Sequence, residues 1–204
     1  APPSQRIVEN GKSILTFNDN YIILGSISQS SANGPSNILL SEYDASLNDA
    51  GDTLWSKTWD LDTYDVPEKI IQKSDGSFAF AGYSLNNSGN LEFSWIFNTD
   101  NNGNELSPII LTGGCYIYDF FENIDGNYIV AGKKLIGDAF QGWISCLDFQ
   151  GNQIWENTYG NEESAVFQSV KQTTDGGYIL TGEDQLNGTT SILHVKTDPN
   201  GNIN

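Results

Sequence analysis

The residues best suited to chemistry are five carboxylates in two short stretches, Asp60, Asp62 and Asp65 in one and Glu162 and Glu163 in the other. Two carboxyl groups facing each other across a cleft can cut a glycosidic bond, one protonating the leaving oxygen while the other attacks or activates water. Such a pair is defined by its separation in space, which spacing along the chain does not give. His194 is the only histidine and the usual type of proton carrier near neutral pH, but it aligns with Ile96 and Ile144 inside a strand. No serine or cysteine stands where His194 would serve as its base. Asn98-x-Asp100-x-Asn102-Gly103 has the oxygen spacing that opens a calcium loop, yet the equivalent stretches begin with Cys146 and Lys196, and Ile109 falls where the closing acid would stand. Asp100 is therefore read as a turn cap. Cys115 and Cys146 form no zinc pattern and lie on strands too far apart to bridge, so two free packing thiols are expected. The expectation from these residues is no catalytic residue, no cofactor and no metal: a chain that is not an enzyme.

Composition narrows the partners. The 204 residues carry 26 acidic against 9 basic side chains, a net charge of −17 that repels phosphate backbones and anionic lipid surfaces. Nucleic acid is excluded as a natural partner, and no apolar run reaches the roughly 18 residues of a transmembrane segment. The chain has no methionine, even at position 1, so it reads as one that begins after processing or lacks its leader, and export is expected. Residues 1–5, APPSQ, read as the end of a flexible leader.

The elements that must position any site come from a repeat. QKSDGSFAFAG (72–82), ENIDGNYIVAG (122–132) and QTTDGGYILTG (172–182) recur at a period of 50 residues, and TFNDNYIILG (16–25) is a looser fourth copy. A second phrase recurs with them: NTDNNGNELS (98–107), CLDFQGNQIW (146–155) and KTDPNGNIN (196–204), with a longer version in 43–55. Asp-Gly between apolar runs predicts a tight type I′ hairpin, and runs apolar on both faces, such as FAFAG and YILTG, predict strands covered on both sides. Two turns per unit give four short antiparallel strands, in units of approximately 11–58, 59–109, 110–158 and 159–204. Such units bury themselves as blades around an axis, which predicts an all-β fold, a β-propeller of four-stranded antiparallel blades in one domain over 6–204. RIVEN (6–10) resembles QIWEN (153–157) and is expected to complete the last blade and close the ring; the alternative is that it is simply the inner strand of the first blade.

The motif D-x-x-G-N-x-x-W, Asp148 to Trp155, resembles the tryptophan-docking turn of quinoprotein-type propellers. The whole unit is similar to a propeller repeat of bacterial and archaeal surface proteins, common in Bacteroidetes. The second unit departs from it, with Ser107 and Pro108 where the docking tryptophan and its neighbour would stand. The resemblance implies export to the cell surface or outer membrane, often on a lipid tether.

Function is expected in the connections that vary over the constant frame: 26–36, 59–66, 84–93, 111–118, 134–141 and 159–165. Most aromatic residues have core positions, whereas Trp59, Tyr64, Tyr116 and Tyr118 do not. With Asp60 and Glu162 they form the expected contact surface for a protein partner in a surface or outer-membrane complex, the chain being monomeric on its own. The alternative is a glycan-binding module or a polysaccharide-degrading enzyme using loop carboxylates.

Overall fold

The computed structural model describes residues 8–28, 35–44, 53–161 and 163–203, and fifteen strands organise them, paired antiparallel except at one bridge. The first sheet is β1 (Val8–Phe17), β2 (Asn20–Ser28), β3 (Asn37–Tyr43) and β4 (Thr53–Trp59), in that order. The second is β5 (Tyr64–Gln72), β6 (Phe78–Leu85), β7 (Leu91–Thr99) and β8 (Glu105–Leu111). A third group, β9 (Cys115–Glu122), β10 (Tyr128–Ile136), β11 (Ala139–Leu147) and β12 (Gln153–Tyr159), is joined by one parallel bridge, Phe140 to Ser164, to β13 (Ser164–Gln172), β14 (Tyr178–Leu186) and β15 (Thr189–Thr197). The chain divides into two compact units, residues 1–92 with 96–108 and residues 93–95 with 109–204. The fold is all-β and propeller-like.

Val8–Asn10 pair with Ser26–Ser28 inside the first sheet, and among the described residues β15 has β14 as its hydrogen-bonded neighbour. This corrects the expectation that RIVEN completes the last blade. Its described residues, Val8–Asn10, belong to the first strand of the first sheet, where three ladder pairs with β2 hold them.

The turns are also corrected. At Asp75-Gly76 the Gly76 N–H donates to the Lys73 carbonyl and Lys73 N–H to Ser77, with positive φ at Gly76 alone; Gly126 and Gly176 repeat the pattern. That is a three-residue loop closed by a left-handed glycine, not a type I′ turn. The type I′ turn is in the copy without glycine: Asn18 and Asp19 both have positive φ, between the paired Phe17 and Asn20.

A second regularity explains the glycine that ends each phrase. The strands β1, β5, β9 and β13 each carry a β-bulge, which leaves Lys12, Glu68, Tyr118 or Gln168 as the extra residue. At three of the bulges a carbonyl swings against the neighbouring strand, where Gly25, Gly132 and Gly182 lie: a Cβ there would overlap the backbone oxygen of Asn10, Tyr116 or Val166. The bulges also link sheets. Ser13 Oγ accepts from Ile70 N at 3.2 Å, and Asp119 Oδ2 accepts from Val170 N at 3.0 Å and Ser169 Oγ at 2.9 Å.

The docking turn is present with its partners resolved. A Cβ at Gly103 would stand 2.6 Å from the Trp55 ring, and one at Gly201 2.5 Å from the Trp155 ring. In the second sheet, where the sequence lacks the tryptophan, Ile109 takes the role against Gly151. The first five residues of β6 and of β10 are buried on both faces, but β14 is not: Ile179 is 38% exposed, and on β15 Ile192, paired with Glu183, is 80% exposed. YILTG is thus covered on one face, through Tyr178 and Leu180, against the core of Ile129, Ile144 and Phe167.

Candidate functional site

Asp100, Asp148 and Asp198 each accept the backbone N–H groups two and four residues on, within 2.8–2.9 Å, and the side-chain amide of Asn104, Asn152 or Asn202. Both carboxylate oxygens are engaged by donors, which holds these groups below the usual carboxylate range and fits the turn-cap reading. Cys115 and Cys146 are free, buried thiols, each pushed up to about 11 by burial.

Of the sequence candidates, Trp59 turns inward. Its ring lies 5.1 Å from Phe80 and 5.8 Å from Phe97, and its Nε1 donates to Glu105 at 2.7 Å. Tyr116 and Tyr118 stack at 6.2 Å, but Lys133 Nζ sits 4.4 Å from the centres of Tyr116 and Phe140 and 6.0 Å from Tyr118. The ammonium covers the ring faces a ligand would use. Asp60 is exposed and caps the loop by accepting from Asp62 N at 2.9 Å. Glu162 lies outside the described residues. Asp65 is buried and fully engaged, accepting from Ser84 Oγ and Thr63 Oγ1 at 2.7 Å and from Leu61 N at 3.2 Å; burial raises its carboxyl against those bonds.

Tyr64 is the candidate that opens onto a site. With Asn10, Ser26, Ser36, Asn86 and Asn87 it lines an open pocket of about 450 Å³ within the first unit, and among the described residues none that lines it is charged. Two residues beyond Asn10 on β1 is Lys12, and two beyond Val66 on β5 is Glu68: the bulge residues of their strands. Lys12 Nζ donates to Glu68 Oε2 at 2.8 Å, and the Glu68 side chain is 14% exposed. Burial raises the Glu68 carboxyl above its ordinary value, and Lys12 opposes that rise. Sequence reading missed Glu68 because it looked for carboxylates in loops. Counting back fourteen residues from the repeat glycines Gly82, Gly132 and Gly182 gives Glu68, Tyr118 and Gln168, so the signal was in the register.

No protein-family model matches the chain, and no curated protein matches it in sequence. Solved structures do match in shape. A protein of unknown function from Bacteroides caccae superimposes with a TM-score of 0.59 at 12% identity, over all of this chain and 67% of the other. A GH43 β-1,3-galactosidase matches with a TM-score of 0.55 at 7% identity, over 96% and 74%. An exo-β-1,3-galactanase from Phanerochaete chrysosporium matches with a TM-score of 0.54 at 12% identity, over 92% of this chain and 49% of its own, so the chain spans about half of that enzyme. These likenesses establish a fold of the β-propeller class. They also correct the expectation of a non-enzyme, because the frame taken as a mark of a binding module is one that glycoside hydrolases use.

Proposed function

We propose that the chain processes polysaccharide, with the pocket of the first unit, uncharged among its described lining residues, seating a sugar and Glu68 supplying the proton for glycosidic cleavage. The placement of Glu68 carries the proposal. The strands that wall the pocket, through Asn10 on β1 and Tyr64 and Val66 on β5, continue by two residues to Lys12 and Glu68, about 7 Å along. A general acid must hold its proton near working pH, and burial raises the Glu68 carboxyl in that direction. Hydroxyl and amide side chains beside an aromatic ring suit a sugar, which offers both donors and acceptors and an apolar ring face. The likeness in fold to a galactosidase and a galactanase supports the same reading.

In the proposed reaction the Glu68 carboxyl gives its proton to the glycosidic oxygen as the carbon–oxygen bond breaks. Water then supplies the new hydroxyl, activated by a second carboxylate from the loop before Tyr64, Asp60 or Asp62. Asp65 has a different part: two of its hydrogen bonds, from Leu61 N and Thr63 Oγ1, fix the loop before Tyr64, and the third, from Ser84 Oγ, ties that arrangement to β6. An exported, cell-surface setting belongs to the same proposal. Release of reducing sugar from a panel of plant and microbial polysaccharides, by the wild type and by Glu68→Gln, tests it.

A further inference from the structure

We infer that the pocket selects an uncharged sugar ring and rejects its uronic-acid counterpart, an inference that rests on the proposal that this pocket seats a sugar. Three lining side chains, Asn10, Ser26 and Asn87, make no hydrogen bond to any described residue, so their donors and acceptors face the pocket unused. Two others are half used in complementary ways. Ser36 Oγ donates to the Asp65 carbonyl at 2.8 Å, leaving its lone pairs, and Asn86 Oδ1 accepts from Ser88 N and Asn90 N at 2.9 and 3.1 Å, leaving its amide hydrogens. The wall therefore offers donors and acceptors together, and Tyr64 adds an apolar face. That is the complement of ring hydroxyls, each of which gives one bond and takes others.

A carboxylate on the same ring would find no cation. None of the lining residues described is charged, and Lys12, the cation on these strands nearest in sequence, is already held by Glu68. A carboxylate drawn out of water into such a wall loses hydration without a compensating ion pair, and the chain's net charge of −17 opposes its approach. One substituent thus separates the two ligand classes: a hydroxymethyl or hydrogen at C5 is accepted, and a carboxylate is refused.

The test is a nuclear magnetic resonance titration of the Glu68→Gln variant, which separates binding from turnover. Galactotriose, arabinotriose and maltotriose are the neutral probes, and trigalacturonate is the acidic match of the first. The expected result is saturable binding of at least one neutral probe, at least tenfold tighter than trigalacturonate, and weakened at least tenfold by Tyr64→Ala or Asn87→Ala. Equal or tighter binding of trigalacturonate, no binding of any probe, or binding unchanged in both pocket variants would overturn the inference. Its failure and that of the hydrolase proposal differ: Glu68-dependent cleavage of polygalacturonate would sink the selectivity alone, whereas a neutral probe bound but never cut would sink the hydrolase alone.

Discussion

Lys12 and Glu68 meet at 2.8 Å because each is the extra residue of a bulge on the first strand of its sheet. A regular strand at either place would send the side chain to the opposite face. The pair sets the state of the acid. Burial drives the Glu68 proton affinity up, and the ammonium restrains it. Lys12→Met should therefore raise the Glu68 pKa further, measurable from its side-chain carboxyl resonance.

The linked stability follows with a definite sign. A carboxyl whose folded pKa lies above its unfolded value contributes stability below the unfolded value and loses it as pH rises through the folded one. The gap in stability between Lys12→Met and wild type should therefore widen from pH 4 to pH 8. Urea unfolding at the two values checks it, and a constant gap would mean that Glu68 is not coupled to Lys12.

Gly126 and Gly132 give a matched test of the repeat phrase. Gly126 has a φ of +77° and open space around its would-be Cβ, so Gly126→Ala should cost only the left-handed backbone term, about 1–2 kcal/mol. At Gly132 a Cβ would overlap the Tyr116 carbonyl oxygen, which is backbone and cannot turn aside. Gly132→Ala should cost about 4 kcal/mol or more, or prevent folding. Denaturant unfolding of the two variants compares them.

Trp155 should be worth more than its partial exposure implies. It packs on Gly201 and lies 5.8 Å from Tyr178, so its removal opens both the docking turn and the edge of the core. Trp155→Ala should destabilise by about 3 kcal/mol, and Gly201→Ala should perturb the Trp155 fluorescence without removing the ring.

Most of the frame was legible because it repeats. Asp148, Gly151 and Trp155 are spaced by the docking turn itself, and the alternating apolar runs give the strands. Three features were not legible, each for a physical reason. The Asp-Gly hairpins proved to have a third loop residue, since a left-handed glycine serves either turn. Ile109 replaced the missing tryptophan because any bulky apolar group can cover Gly151. Val8–Asn10 joined the first sheet, since the likeness of RIVEN to QIWEN specifies an edge strand but not which edge. The site was the least legible part. Tyr64 was found by exclusion from the core, whereas Glu68 sits inside a strand, where its exposure depends on a bulge that composition does not reveal.

Glu68 is proposed as the proton donor of a polysaccharide-cleaving site. That role is tested most directly by measuring reducing-sugar release from the polysaccharide panel with wild type and Glu68→Gln side by side, after confirming equal unfolding midpoints at pH 5. The expected result is turnover of at least one neutral polysaccharide by the wild type, reduced by about 10²–10⁴-fold in the variant. No turnover of any substrate, or turnover that Glu68→Gln leaves intact, would contradict it.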